Sequence, residues 1–521
     1  MAKPKISRMI PLYAFATSFC ALAYQQLMAY ALMDATSNFV LSQSVTLGVF
    51  LFAMGLGSLR AERGGKLGWR RLLRVELIIG LLGILSIGFV QVSEILVAYL
   101  ALPHANAALL LINTPYLFAI GYHTGLEVPC LLQEDGNSTR TLANNYFGAF
   151  TAAIAVPLLC LPFLDVSSST ILFGLLNLML AAGLVQWPRV KPLAWLGVTG
   201  LLTLITAWTM IAPKLRDFHL KFVYVHPEYE GLAQLPVHWN ILKYAGTPLR
   251  QRTRYQWIDL LPRAFAERLG GDAPLVLFLD RHLQFSSGSF RRYHESMVRG
   301  GVGFLGRTAQ RILIIGGGDG LLAAEIARSQ PRPERVDLVE LDAAMLKLCQ
   351  RDLGIRELGG NVFENAPWLK VHIADGFQFI RESQDTYDLI MIDLPFPVNY
   401  DLSLLYSKEF YTLVRRRLAP DGIMIFDFPA VEKNISPSHA ILLQTVGAAG
   451  FSNPLAFGAE EMFVAAASDG RPLKLNPLAF GEMNKLTAAN LVSFEKEVAE
   501  LMRKPAPVNS IFFPRVLAES R

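Results

Sequence analysis

Arg311–Gly320, RILIIGGGDG, followed by Leu321–Gln330, LLAAEIARSQ, predicts a strand, a tight turn and a helix. Ile312 to Ile315 form a short apolar run of the kind seen in a parallel strand buried on both faces. Three glycines, an aspartate and a fourth glycine then make a turn that bulky side chains would obstruct. Where such a turn opens a helix, backbone N–H groups and bare Cα atoms let a nucleotide or nucleoside come close. Glu340 lies twenty residues beyond Gly320, in a second apolar run, Val336–Asp342 (VDLVELD). At that distance a nucleoside site carries the acid that holds ribose hydroxyls.

The α/β alternation continues downstream. KVHIADGFQFI predicts a strand ending at Ala374–Asp375, YDLIMIDLPFP one ending at Asp393, and GIMIFDFP a further one. Open parallel sheets bind ligands outside the C-terminal ends of their strands. Gly316–Gly320, Glu340, Asp375 and Asp393 all fall at such ends. The expectation is an α/β Rossmann-like (methyltransferase-type) nucleoside-binding domain over 306–521. Ahead of it, RTRYQWIDLL and LVLFLDRHLQFSS alternate as strands do, and SFRRYHESMV starts a helix. Residues 214–305 therefore read as a linker and a small β-rich region.

A chain of 521 residues exceeds one ordinary domain, and its 52% hydrophobic content is unevenly spread. Long apolar runs fill residues 9 to 212, whereas charge concentrates after Lys214. Seven candidate spans lie near 9–32, 43–60, 73–98, 106–130, 143–163, 168–187 and 192–212, each long enough for a bilayer core. Residues 1–213 thus read as a multi-span α-helical membrane domain. The net charge of +5 is modest, much of it in loops flanking these spans, and implies no nucleic-acid partner. Four scattered cysteines give neither a disulfide framework nor a zinc spacing, and no metal is expected.

Lys3, Lys5 and Arg8, then six Lys or Arg in RAERGGKLGWRRLLR, then Arg189 and Lys191 mark alternate loops. The positive-inside rule makes the N-terminus of this multi-pass cell (inner) membrane protein cytoplasmic. Seven spans then carry the second half to the outer face. Lys214, Arg216 and Lys221 favour the cytoplasmic face, as does a nucleoside ligand made in the cytoplasm. The sequence leans to that face without deciding it. Gln25, Gln26, Asn113, His123, Glu127, Asn144 and Asn145 are polar positions inside the spans. Glu127 with His123 either marks a polar pathway or, the preferred expectation, sits near the end of the fourth span and reaches the interface.

The ordered pieces RYQWI, LDRHLQFSS, RYHE, IGGGDG, VELD, ADGFQF, IDLP and LYSKEFY resemble those of the polyamine aminopropyltransferases, the spermidine synthases. GLEVPCLL and NYFGAF are similar to the branch fused to an N-terminal multi-span region. The resemblance implies transfer of the aminopropyl group of decarboxylated S-adenosylmethionine, a co-substrate, to putrescine or a related amine. No cofactor is implied, and a homo-oligomer is a possible assembly. It further implies a carboxylate base at Asp393 assisted by Tyr293. Gln256, Gln284, Gly316, Gly318, Asp319, Glu340, Asp375 and Gly376 would surround the donor. His294 and Glu295 would stand on the acceptor side. In this picture Glu340 holds the ribose and Asp375 the adenine amino group. Asp319 would face the donor's ammonium and repel the carboxylate of intact S-adenosylmethionine. Each residue also has a plainer alternative: Asp319 capping the next helix, Asp393 closing a strand-end turn, Glu340 a solvated acid, Tyr293 and His294 packing.

The chain departs from the family pattern on the acceptor side. The second aspartate expected three residues after Asp393 is Phe396, a glycine expected in the β region is Arg281, and an acidic pair before Tyr293 is Ser289–Phe290. Losing a carboxylate that pairs a desolvated ammonium removes an anchor worth a few kcal/mol. Two alternatives therefore stand beside the first reading. One is a diverged transferase using intact S-adenosylmethionine or a more apolar acceptor. The other is a membrane sensor or transporter whose second half binds a nucleoside or polyamine without turnover.

Overall fold

The computed structural model describes residues 9–36, 38–62, 68–102, 104–134, 138–185, 194–225, 231–261, 275–395, 397, 400–428, 437–458, 462–476, 491–503 and 505–516. The chain divides into two compact units, Met1–Pro248 and Leu249–Arg521.

The first unit is helical: α1 (Ile10–Thr36), α2 (Phe39–Glu62), α3 (Gly68–Tyr99), α4 (Ala105–Glu134), α5 (Ser138–Phe163), α6 (Val166–Val185), α7 (Ala194–Val225) and the shorter α8 (Leu235–Tyr244). Among the described residues six of these, α2 to α7, are long and apolar enough to cross a membrane. The first expected span forms α1, 27 residues long, which is not among the six. Its sequence explains this, since Thr17, Ser18, Gln25 and Gln26 interrupt the apolar run. Its neighbours bury it, leaving Tyr24, Leu27 and Met28 at 0% exposure. A helix enclosed by others can carry polar groups if they find partners, and Gln25 donates to Thr46 Oγ1 at 3.1 Å.

Pro129 sits inside α4 and cannot donate to the Gly125 carbonyl four residues earlier. Ser58 Oγ of α2 donates to that carbonyl instead, at 2.9 Å. The two helices come close enough for this because Gly57, Gly121 and Gly125 line their contact. A Cβ on Gly121 would sit 2.6 Å from the Phe50 carbonyl, and one on Gly125 would strike the Met54 carbonyl. Helix α5 relaxes into a π turn at Val156–Cys160, which contains Pro157.

Three expectations for this half are corrected. Lys214, Arg216 and Lys221 do not follow the last long helix but lie on α7 itself, which continues through Pro213 to Val225. Arg216 pairs with Asp165 at 2.8 Å and Lys221 with Asp217 at 2.9 Å. Residues 214–248 accordingly fall in the helical unit, and the β-rich region begins at Leu249. Glu127 does not reach a surface: it is 1% exposed among α1, α3 and α4 side chains. His123 is half-buried, with Nδ1 2.8 Å from the Ala119 carbonyl oxygen.

The second unit opens with an antiparallel sheet, β1 (Leu249–Arg252), β2 (Trp257–Leu261), β3 (Val276–Leu279) and β4 (His282–Ser286), in the order 1-2-3-4. Asp280 and Arg281 make the β3–β4 turn with φ of 46° and 69°. A two-residue hairpin of this hand requires positive φ at both positions, so the departure at Arg281 keeps the backbone shape that a glycine adopts more easily. Helix α9 (Phe290–Leu305) follows.

A sheet of eight strands comes next: β5 (Arg311–Gly316), β6 (Arg335–Glu340), β7 (Leu369–Ile373), β8 (Tyr387–Asp393), β9 (Leu418–Phe428), β10 (Leu455–Gly458), β11 (Met462–Ala467) and β12 (Val492–Ser493). Their order is β12-β10-β11-β9-β8-β5-β6-β7. β5 to β9 pair in parallel, and β10 to β12 add an antiparallel edge absent from the sequence reading. Ile312 to Ile315 are at most 1% exposed, their alternate side chains entering cores on opposite faces of the sheet. The chain runs outward from β5 through β6 to β7, then returns to lay β8 on the other side of β5. The β5/β8 boundary is therefore the topological switch point, where an open α/β sheet forms its ligand crevice.

Candidate active site

The switch point is bounded by the turn after β5 and the end of β8. Gly316 and Asp393 are register partners, and a Cβ on Gly316 would strike the Asp393 carbonyl. Gly316, Gly317 and Gly320 have φ of 88°, 65° and 79°, which side chains rarely tolerate. Gly318 is needed for another reason, because a Cβ there would lie 2.5 Å from Glu340 Oε2. The Glu340 carboxylate thus rests against the glycine turn, and its Oε1 accepts the Asp342 N–H at 2.7 Å.

Asp319 Oδ1 accepts the Leu321 N–H at 2.8 Å, so the plainer capping role is real. The residue also has a second environment. Among the described residues, Asp319, Asp393 and His294 each offer one ligand-type atom, all within 4.8 Å of one another. Tyr293 Oη donates to Asp393 Oδ1 at 2.6 Å. His294 Nδ1 lies 2.6 Å from the Phe290 carbonyl oxygen. A carbonyl only accepts, so Nδ1 carries the hydrogen and Nε2 is left for any other partner. Two carboxylates, a phenol and an imidazole gathered this way suit a positively charged group that must also give up a proton.

Burial sets the electrostatics. It pushes the Asp319 carboxyl up to about 6. It does the same for Asp393, also about 6, with the Asp319 charge adding and the His294 and Tyr293 contacts opposing. Burial raises Glu340 to about 7, against the opposing Asp342 N–H bond. Burial also lowers His294 below its ordinary value of 6.5, favouring the neutral ring. A carboxylate near 6 is mostly ionised at neutral pH yet a better proton acceptor than an ordinary one.

The remaining predicted residues distribute along the strand ends. Asp375 and Gly376 follow β7, whose extension brings the Ala374 N–H to the Glu340 carbonyl at 3.1 Å. Asp375 is exposed and caps α10 (Gly376–Glu382) through the Gln378 N–H at 2.7 Å. Gly376 lets that helix approach β5, since a Cβ would meet Ile315 Cγ2 at 2.6 Å. Gln256 donates to Asp342 Oδ2 at 3.3 Å, carrying the small sheet to the end of β6. Gln284 bonds locally, to the His282 carbonyl at 3.1 Å. Glu295 is buried on α9, about 200° around the helix from Tyr293, so it faces away from the Tyr293 side. Phe396 lies outside the described residues.

Sequence reasoning missed two supporting residues. Asp342 caps the helix after β6 and links Gln256 to the Glu340 turn. Its signal was a second acid two positions after Glu340, directly before a helical pattern. Tyr406, within LYSKEFY, donates toward the Leu394 and Pro395 carbonyls, each at 3.2 Å, holding the turn that leaves Asp393.

Residues 291–442 match the spermine/spermidine synthase domain. Polyamine aminopropyltransferase 2 of Streptomyces coelicolor is 31% identical over 461 residues, covering 81% of this chain and 74% of the relative. The polyamine aminopropyltransferase of Leptospira interrogans is 27% identical over 517 residues, covering 95% of this chain and 94% of the relative. Among solved structures, the spermidine synthase from Thermotoga maritima aligns with 49% of this chain and 88% of its own, at 20% identity and a TM-score of 0.40.

Proposed function

The chain belongs to the polyamine aminopropyltransferase family, and on that premise we propose that it moves the aminopropyl group of decarboxylated S-adenosylmethionine to putrescine or a related aliphatic amine. The acceptor nitrogen attacks the aminopropyl carbon next to the sulfonium. A C–N bond forms, the C–S bond breaks, and sulfur keeps the electron pair as methylthioadenosine. The extra proton on the new ammonium goes to Asp393. The single observation that carries this reading is the Tyr293–Asp393 hydrogen bond, 2.6 Å long, at the switch point beside Asp319. A binding module has little use for a half-buried base held by a phenol.

The sulfonium is already a good leaving group, so the protein's task is to orient two cations and accept a proton. Glu340 is suited to ribose hydroxyls across Gly318, and Asp375 to the adenine amino group. Gln256 and Gln284 are proposed to line the donor. Asp319 is suited to the donor's ammonium and disfavours a donor that still carries a carboxylate there. His294 is proposed to face the acceptor, and Glu295 is a weaker candidate given its direction on the helix. We also propose that the six apolar helices, with α1 enclosed among them, span a cell membrane and that the second unit lies on its cytoplasmic side.

Phe396 favours a second reading in which the acceptor carries fewer charges than putrescine. Detergent-purified full chain, given decarboxylated or intact S-adenosylmethionine and a panel of amines, tests both by mass spectrometry. Methylthioadenosine and spermidine from the decarboxylated donor alone are expected. Methylthioadenosine only with a monoamine supports the second reading. Adenosylhomocysteine, or no product from either donor, overturns both.

A further inference from the structure

Beyond Asp393 the chain leaves β8 through Leu394 and Pro395, forms the short helix Tyr400–Leu404 and enters the helix Lys408–Arg417. This connection carries the departure at Phe396, and it is held by residues more than a hundred positions away. Asn509, 0% exposed, lies against it. Its Nδ2 donates to the Ser403 and Tyr406 carbonyls, each at 3.0 Å. Its Oδ1 accepts the Arg515 N–H at 2.7 Å and the Val516 N–H at 3.4 Å. Both amide hydrogens and both oxygen lone pairs are therefore in use, and two carbonyls opposite two N–H groups admit only this orientation of the amide. The main chain of Asn509 adds two more bonds. Its N–H donates to Thr445 Oγ1 at 2.9 Å, and its carbonyl accepts the Lys408 N–H at 2.9 Å, one of the donors that a helix start leaves unpaired.

The residues after Asn509 repeat the attachment. Tyr400 Oη donates to the Ile511 carbonyl at 2.8 Å. Ser510 Oγ donates to Glu409 Oε1 at 2.8 Å, and the Ile511 N–H to Glu409 Oε2 at 3.2 Å. Phe512 and Phe513 at the tip are 76% and 65% exposed, so burial of their rings does not place this turn. Polar bonds to 400–409 do. We propose that Asn509–Val516 is a brace that sets the acceptor-side wall of the active site, with Asn509 as its positioning residue. The link to the chemistry is short. Asn509 holds the Tyr406 carbonyl, Tyr406 Oη donates to the Leu394 and Pro395 carbonyls at 3.2 Å, and those residues directly follow the base Asp393. Among the described residues no hydrogen bond of the brace reaches the glycine turn, Glu340 or Asp375. Loosening the brace should disturb the acceptor and the base and leave the donor in place.

The acceptor assignment rests on the transferase reading, and the measurements keep the two apart. In the full chain in detergent, N509D keeps an acceptor for Arg515 and Val516 but turns an oxygen toward the Ser403 and Tyr406 carbonyls. Acceptor kcat/KM is expected to fall by about tenfold or more. Selectivity for the better acceptor over its homologue one methylene longer, putrescine against 1,5-diaminopentane or propylamine against butylamine, should relax about threefold. Donor Kd, by calorimetry, should stay within about twofold. A residue that only stabilised the fold would lower the melting temperature and leave the selectivity unmoved. Unchanged selectivity, or a donor Kd weakened as much as the acceptor KM, overturns the brace. Should N509D not fold, Y400F combined with S510A loosens the brace at its outer end. That variant is expected to raise acceptor KM about threefold with donor Kd unchanged, and an unchanged acceptor KM counts against the proposal. If the wild-type chain turns over no amine, the transferase reading fails by itself. Hydrogen exchange then judges the brace: the amides of 400–407 should exchange about tenfold faster in either variant while those of β5 do not, and equal exchange at 400–407 overturns it.

Discussion

Tyr293 on α9 donates its hydroxyl hydrogen to Asp393 Oδ1 at the end of β8, across 2.6 Å and a hundred residues of chain. Hydrogen bonds to a charged acceptor are roughly twice as strong as neutral ones, and this one holds the carboxylate where Asp319 and His294 also converge.

That relationship predicts unequal losses. D393N should lower kcat by about 10³-fold, within the range for a positioned base, while leaving the donor Kd within threefold. Y293F should cost about 10- to 100-fold, the worth of one hydrogen bond to a charged group. Rapid-quench kinetics with calorimetric donor binding would measure both. Full activity in D393N would remove Asp393 from the chemistry.

A second expectation concerns pH. With Asp393 raised to about 6, kcat/KM should fall as pH drops through about 6 and the base becomes protonated. The Asp319 charge contributes to that elevation, so the acid limb of the residual D319N activity should move to lower pH. An acid limb at the ordinary carboxylate value, about 4, would contradict this environment.

The same carboxyls should make the second unit less stable as pH rises. Folding raises Asp319 from 3.8 to about 6, so the folded state resists its ionisation. Stability is fullest below the unfolded value and is lost as pH rises toward about 6. D319N, which retains an acceptor for the Leu321 N–H, should raise the unfolding midpoint by a few degrees at pH 8 and by nothing at pH 3.5. A thermal melt of the second unit at the two pH values would decide, and equal shifts at both would argue against the mechanism.

Gly318→Ala places a methyl 2.5 Å from Glu340 Oε2 and must swing that carboxylate aside. Donor KM should rise at least tenfold with acceptor KM nearly unchanged, because the turn and the β8 end are separate attachments. Equal increases for both substrates would mean the turn itself had moved.

Tyr406→Phe removes the donor that serves two carbonyls after Asp393. Two half-buried acceptors lose their partner, so destabilisation of about 1 kcal/mol is expected. The kcat should fall about tenfold through looser positioning of Asp393. A chemical melt paired with steady-state kinetics separates the two effects.

Much of this was legible because backbone requirements write themselves into composition. Four glycines around Asp319 and an apolar run before them admit few conformations. Glu340 and Asp393 each end an apolar strand, and Asp375 follows the strand Leu369–Ile373, so all three share one edge of the sheet. The antiparallel strands Leu455–Gly458, Met462–Ala467 and Val492–Ser493 are short, fully apolar or isolated, with no periodicity to betray them. Contacts such as Tyr24 with Asn177, 153 residues apart, leave no local trace. The interior position of Glu127 was hidden for the same reason, since hydropathy measures the length of a span but not which side faces its neighbours. The first helix is less apolar than the six because its neighbours bury most of it, and polar side chains such as Gln25 find partners there.

Gly316 and Asp393 face each other through main-chain pairing of β5 and β8. The distance between donor turn and base is thereby inherited from the sheet ladder rather than from any side chain that mutation could trade. Side-chain changes elsewhere in the site can then accumulate while the spacing of turn and base is kept. A lineage built on this frame can explore new acceptors one loop substitution at a time, keeping its alkyl donor throughout.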